Sequence, residues 1–296
     1  MKNSLLRAGS WVSQFRNLLH SKTSQNCSKL DTYRKSIDAY NAAQSNSEML
    51  DAIREYNHSI INSLNKIRPL SGLRILDVGA SPHGYALEES LALGVSEYVG
   101  IGLDITENFA LTTTSGRASL ACMNAESLSF DDNQFDAIVS MSTFEHISNL
   151  ELCLSEFHRV LKDQACALIS FEPIWTCSYG HHLHHLGAIS KLVPDWAHLL
   201  WSKSEMMEYL DTCWPVNSPF SVPEAGEWIY ESNVLNRQGI REVRKILSDC
   251  PMHIEWIVPM PDEARNEVQL AATAEKTGLT RDELMVKGLS VLICKH

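Results

Sequence analysis

The segment from Arg74 to Asp104, RILDVGASPHGYALEESLALGVSEYVGIGLD, admits very few folds. Ile75-Leu76-Asp77-Val78 is an apolar run too short for a helix and closed by glycine, which predicts a buried strand. It breaks at Gly79-Ala80-Ser81-Pro82-His83-Gly84, a small-residue turn that lets backbone approach a ligand closely. An amphipathic segment from Tyr85 to Leu93 follows, with Gly94 positioned as a helix-ending glycine. Tyr98-Val99-Gly100-Ile101-Gly102-Leu103 reads as a second strand that stops on Asp104. Strand, glycine turn, helix, strand and terminal acid make a βαβ unit of the nucleotide-binding kind.

That order has a chemical meaning. A glycine turn at the carboxyl end of a strand lays a ligand against backbone, with N–H donors from the next helix. Asp104, about one strand-width away, is placed to accept both hydroxyls of a ribose. Asp77 stands two residues before the first glycine and would face a pyrophosphate with like charge. It suits a ligand carrying a cationic amino-acid end and a ribose.

The alternation continues. Ala118–Met123 predicts a third strand ending at Asn124-Ala125-Glu126, after a polar helix or loop. Phe135–Ser140 predicts a fourth, running into Met141-Ser142-Thr143-Phe144-Glu145-His146. A helix over Leu150–Leu161 and a strand over Ala165–Phe171 follow, the latter ending in Glu172-Pro173. Past Pro173 the pattern changes to a Trp- and His-rich stretch with little strand signal. Helical spacing resumes over Glu227–Leu247, and Ile254–Val258 and Lys287–Cys294 close the chain as strands. Ahead of the βαβ unit, Asp31–Tyr40 and Ser47–Ile67 have helical spacing.

The turn DxGxSxxG, with its leading acid, resembles the first motif of the class I S-adenosylmethionine-dependent methyltransferases, and NAESLSFDDNQFDAIVSMSTFEHI resembles their later motifs. Ser81 replaces the usual middle glycine, Gly84 sits one place late, and Asn124 stands where the family more often has Asp. The resemblance is best over residues 73–172. It implies a Rossmann-like, doubly wound α/β fold: a seven-stranded sheet with an antiparallel final strand, N-terminal helices, and a cap after strand five. The expected division is a helical lid at 1–70, a cofactor-binding core at 71–172, a substrate-recognition cap at 173–250 and completion of the sheet at 251–296. The cofactor implied is S-adenosylmethionine. Its binding residues would be Asp77, Gly79, Ala80, Ser81 and Gly84 at the first turn, Asp104 and Ile105 at the ribose, Asn124, Ala125 and Glu126 at the adenine, and Ser142.

Methyl transfer is mostly alignment, plus removal of a proton from an oxygen nucleophile. The candidate bases lie in Gly180-His181-His182-Leu183-His184-His185. Four histidines in five residues are poor core filler, because each buried imidazole needs partners. Three readings stand: a general base among substrate-binding neighbours, with His181 or His182 nearest strand five; a divalent-metal site; or a solvated turn. No HExxH accompanies the cluster, so no metal ligand is assigned. His146 and Glu172 are further catalytic candidates, each with a purely structural alternative, and Glu145 is ambiguous in the same way. Trp175, Trp196, Trp201 and Trp214 either stack on a substrate or pack the cap.

Composition bounds the rest. Twenty-five basic against 36 acidic residues, net charge −11, argue against a nucleic-acid groove. Eight cysteines without a CxxC pair read as reduced, mostly buried thiols of a cytoplasmic protein. No run is apolar for the ~20 residues of a membrane span. The first 30 residues hold several bases and no acid, as in an organelle-targeting peptide, an interfacial helix or a helix packed on the core. The expectation is an S-adenosylmethionine-dependent enzyme that methylates a hydroxyl of a small molecule or glycan intermediate. A small-amine N-methyltransferase and an inactive binding scaffold are the alternatives, and oligomeric state is left open, a homodimer included.

Overall fold

The computed structural model describes residues 47–81, 84–105, 108–112, 116–183, 191–218, 221–264 and 266–296. The expected helix at 31–40 and the basic segment at 1–30 lie outside them. The described residues begin with α1 (Ser47–Ile67) and enter the sheet at β1 (Arg74–Val78). Then come α2 (Tyr85–Ala92), β2 (Glu97–Gly102), β3 (Phe109–Thr112), β4 (Arg117–Cys122), β5 (Phe135–Met141), α3 (Leu150–Val160) and β6 (Leu161–Phe171). Among the described residues four helices follow: α4 (Ala197–Leu200), α5 (Lys203–Asp211), α6 (Val222–Tyr230) and α7 (Ile240–Asp249). The chain closes with β7 (His253–Pro261), α8 (Glu267–Thr277), α9 (Arg281–Leu284) and β8 (Val286–Cys294).

The sheet order is β3-β4-β2-β1-β5-β6-β8-β7. β4, β2, β1, β5 and β6 run parallel, while β8 lies antiparallel between β6 and β7. All seven expected strands form, and the antiparallel last strand is present. An eighth, β3, pairs antiparallel with β4 at the edge, where a polar helix or loop was expected. Its residues Phe-Ala-Leu-Thr form a run too short to register as a strand without the partner edge. Because β1 leads to β2 on one side while β5 lies on the other, the strand order reverses at β1. In such sheets ligands bind beyond the carboxyl ends of the strands at that point.

The two faces of the sheet carry separate cores. One gathers α3 and α7 through Leu154, Phe157, Ile240, Val243 and Leu247; the other gathers α1 and α2 through Ile61, Leu64, Ala86 and Leu87. Helical spacing over 227–247 resolves into α6 and α7, separated by a loop. α6 packs with α5 in a cap core of its own, around Met206, Leu210, Ala225 and Trp228. The tryptophans mainly pack: Trp196 is fully buried against Leu270 and Leu284, and Trp201 and Trp214 lie against the cap core.

The cysteines depart from expectation. Cys166 on β6 and Cys294 on β8 are disulfide-bonded across 128 residues of sequence. Antiparallel pairing sets them directly opposite one another, a proximity that spacing along the chain does not reveal. Cys153 and Cys177 are free and buried, and Cys122 is free and exposed.

Candidate active site

The first turn is built of backbone. Gly79 has φ +84°, and a Cβ there would come within 1.8 Å of Thr143 Oγ1, so only glycine lets the β5 loop lie over the turn. The Gly79 and Ala80 N–H groups donate to Ile101 O at 2.8 and 2.9 Å, folding the turn back onto β2. Gly84, φ +72°, starts α2, and its N–H donates to Ser81 O. At the end of β2, a Cβ on Gly102 would lie 2.8 Å from Asp104 Oδ1. The Asp104 carboxylate thus folds back over a bare glycine, with Ile105 buried beside it.

Asp77 does not lie open at the strand ends. It is buried under the turn, where the Tyr98 hydroxyl donates to its Oδ2 and Oδ1 has no hydrogen-bond partner among the described residues. Burial, only partly offset by the Tyr98 bond, pushes its carboxyl up to about 7. At the end of β4, Asn124 Oδ1 accepts from the Glu126 N–H at 2.9 Å, and Glu126 Oε1 accepts from the Asn149 N–H at 2.9 Å. Ala125 is buried between them. The Glu126 carboxylate is therefore held by the start of α3.

The densest chemistry sits where β5 and β6 end. Ser142 has φ +46°, and its N–H donates to Ser170 O, tying the two strand ends together. Phe144–His146 forms one tight helical turn that buries Glu145. Glu145 Oε2 has no hydrogen-bond partner among the described residues, and burial, with Glu172 nearby, raises its carboxyl to about 8. It is protonated at neutral pH. The His146 Nδ1–H donates to Val234 O at 2.8 Å, and its Nε2 lies 4.0 Å from Glu145 Oε1.

His182 reaches this place from the cap. It has φ +59°, and its Nδ1–H donates to Gly180 O at 2.7 Å, the tautomer that makes Nε2 the basic nitrogen. Its ring centroid is 5.3 Å from that of His146. Donor atoms of Glu145, His146 and His182 lie within 4.8 Å of one another. His182 and Glu145 line a small cavity with Trp175, Asn236, Arg237 and Gln238.

His181 turns the other way. It is buried against His198 and accepts from the Leu183 N–H at 3.1 Å. Burial, with His198 adding to it, holds it well below the ordinary histidine range. The His198 Nε2–H donates to Trp175 O, so these two imidazoles brace the cap from inside. His184 and His185 lie outside the described residues. Glu172 pairs with Lys287 at 3.0 Å on the rim.

Two residues of this site carry no signal in the sequence. Tyr56, on α1, donates to Ser170 Oγ at 2.9 Å, and burial raises its hydroxyl to about 12. In sequence it is one more apolar residue in a helical stripe. Arg237 has φ +53° and lies 5.8 Å over the Trp175 ring, lining the cavity from a loop without a motif.

The parallel order, the reversal at β1 and the acid-and-glycine turn beneath it make the core similar to the class I S-adenosylmethionine-dependent methyltransferases. Residues 76–169 match the family model of a methyltransferase domain. The chain is 30% identical over 156 residues to the mitochondrial ubiquinone biosynthesis O-methyltransferase of Rattus norvegicus, covering 49% of this chain and 44% of the relative. It is 25% identical over 175 residues to the malonyl-[acyl-carrier protein] O-methyltransferase of Priestia megaterium, covering 56% and 60%. A Galdieria sulphuraria structure, provisionally assigned as a sarcosine dimethylglycine methyltransferase, shares the fold with a TM-score of 0.50. It is 14% identical and is covered over 88% of this chain and 98% of that one. The chain spans about half the length of the curated relatives described here.

The family implies S-adenosylmethionine, and the residues present fit it. Asp104, folded over Gly102 at the end of β2, puts a carboxylate at the position expected for a ribose, beside the Gly79 turn at the end of β1.

Proposed function

We propose that this chain methylates a hydroxyl group of a small polar acceptor, a small molecule or glycan intermediate, with His182 as the general base. The observation that carries the reading is the arrival of His182 from the cap beside His146 and Glu145, at the carboxyl end of β5. The two relatives named above are O-methyltransferases by name, which supports an oxygen acceptor.

When bound, the cofactor supplies an electrophilic methyl group on a sulfonium. Gly79, Ala80, Ser81 and Gly84 would hold its amino-acid end, Asp104 and Ile105 its ribose, and Asn124, Ala125 and Glu126 its adenine. His182 Nε2 would take the acceptor's hydroxyl proton, so that the oxygen can accept the methyl group as that group's bond to sulfur breaks and a neutral thioether is left. His146, fixed by Val234 O, flanks His182, and the neutral Glu145 carboxyl lies beside them without placing a second negative charge near the nucleophile. Trp175 and Arg237 supply an apolar wall and a cation for the acceptor. The rat relative is named mitochondrial, which supports the basic first 30 residues as an organelle-targeting segment.

His182→Gln should lower methyl transfer to a hydroxyl acceptor by about 10²–10⁴-fold while S-adenosylhomocysteine still raises the melting temperature. Full turnover in that variant refutes the base assignment. If the parent protein gains no thermal stability from S-adenosylhomocysteine, where about 2.7 kcal/mol is expected at a hundredfold excess over Kd, the chain is a scaffold rather than an enzyme.

A further inference from the structure

At the far edge of the sheet from the cofactor turn, His253, Glu255 and His296 bring one ligand-type atom each within 4.8 Å of one another. The sheet itself assembles them. His253 pairs with Cys294 in the β7–β8 register, and directly paired antiparallel residues share a face. His296 is two residues beyond Cys294 and returns to that face. Glu255 would alternate with Trp256, but the register shifts between Ile254 and Trp256. Glu255 is thus the extra residue of a β-bulge, which turns it to the same side. All three side chains are exposed, and none hydrogen-bonds or ion-pairs with another described residue.

The backbone carrying them is firmly held. The Lys295 N–H donates to Ala165 O at 2.9 Å, and its carbonyl accepts from the Gln164 N–H at 2.8 Å. The Lys295 ammonium, nearly buried, donates to Asn133 Oδ1 at 2.6 Å and Leu161 O at 2.9 Å. His296 therefore follows an anchored residue, and its ring centroid stands 5.0 Å from that of His253. Cys294, opposite His253, is itself joined to Cys166 on β6.

We infer that His253, Glu255 and His296 form a surface site for a divalent transition-metal ion of the zinc or nickel type. Two imidazoles and one carboxylate select a borderline ion over magnesium or calcium, which take oxygen donors. Ligands about 2.1 Å from zinc stand roughly 3.4 Å apart, so small rotations of exposed side chains close the site without moving backbone. A water completes the coordination. The site is remote from the proposed methyl-transfer residues and independent of that activity.

The test is calorimetric titration of the full chain, disulfide intact, with zinc chloride and separately with nickel chloride. One equivalent should bind. His253→Ala and His296→Ala should each weaken binding at least tenfold, Glu255→Gln less, and methyl transfer should be unaffected. If the His253→Ala/His296→Ala double variant binds the same equivalent with unchanged affinity, the inference is wrong. It is equally wrong if the equivalent disappears in His182→Gln, which moves the ion to the cavity below the cap. Binding only after reduction would assign it to Cys166 and Cys294 and overturn the His–Glu set.

Discussion

At the scale of single residues, the site is governed by groups whose protonation differs from that in water. Asp77 carries its proton in the fold up to pH about 7, whereas the unfolded chain releases it near 3.8. Its contribution to stability is full below the lower value, declines between the two, and is lost once pH rises through the upper one. Asp77→Asn should therefore stabilise the protein at pH about 8 by on the order of a few kcal/mol and have little effect near pH 4. Urea melts at the two pH values measure this, and equal midpoint shifts at both would exclude titration of Asp77 in this range. Gly79→Ala tests the turn itself. A side chain at φ +84° costs about 1 kcal/mol, and the new methyl collides with Thr143, so the thermal shift with S-adenosylhomocysteine should vanish. A retained shift would show that the cofactor does not use this turn. Glu145→Gln keeps a neutral donor and should preserve most turnover, whereas Glu145→Ala should lose about tenfold or more; steady-state rates separate them.

At the scale of elements, α1 is a working wall of the site as well as part of the core. Its inner face buries Ile61 and Leu64 against the sheet, while Tyr56 ties it to the end of β6 through Ser170. Tyr56→Phe should cost about 1 kcal/mol in stability and speed amide exchange in the first turns of α1 far more than in β1. Uniform exchange across both elements would place the tether elsewhere. The cap shows a similar division of labour between neighbours. His181 and His182 are adjacent in sequence, yet one faces His198 in the cap interior and the other faces His146 at the sheet. The left-handed backbone at His182 accompanies that split.

At the scale of the whole molecule, the Cys166–Cys294 bond closes a 128-residue loop across β6 and β8. Chain-entropy reasoning puts its stabilisation at up to about 5 kcal/mol, less where strand pairing already restrains the ends. Reductant, or the Cys166→Ser/Cys294→Ser pair, should lower the melting temperature by several degrees while leaving cofactor affinity unchanged, because the bond lies away from the first turn. An unchanged melting temperature would mean that the β6–β8 ladder alone holds this part of the sheet. Asp77 and Glu145 act in the same direction at this scale: both have raised folded values, so stability should fall as pH climbs from about 4 to 8.

The parallel core was legible in the chain because its determinants are local. The run at Ile75–Val78, the Gly79 and Gly84 turn, and Asp104 after an apolar strand are each set by side-chain period and backbone freedom over a few residues. Edge strand β3 was not legible, since four residues have no period of their own and need a partner edge. The candidate site was half visible. Residue type drew attention to the histidine cluster and to Glu145-His146, but proximity among His182, His146, Tyr56 and Arg237 depends on packing between segments up to 181 positions apart. Burial settled the rest, raising Asp77 and Glu145 and lowering His181 through desolvation. The opposed cysteines and the His253–Glu255–His296 group likewise arise from strand register. A linear sequence carries conformational preference along the chain, while contact and solvent exclusion exist only once the segments have packed.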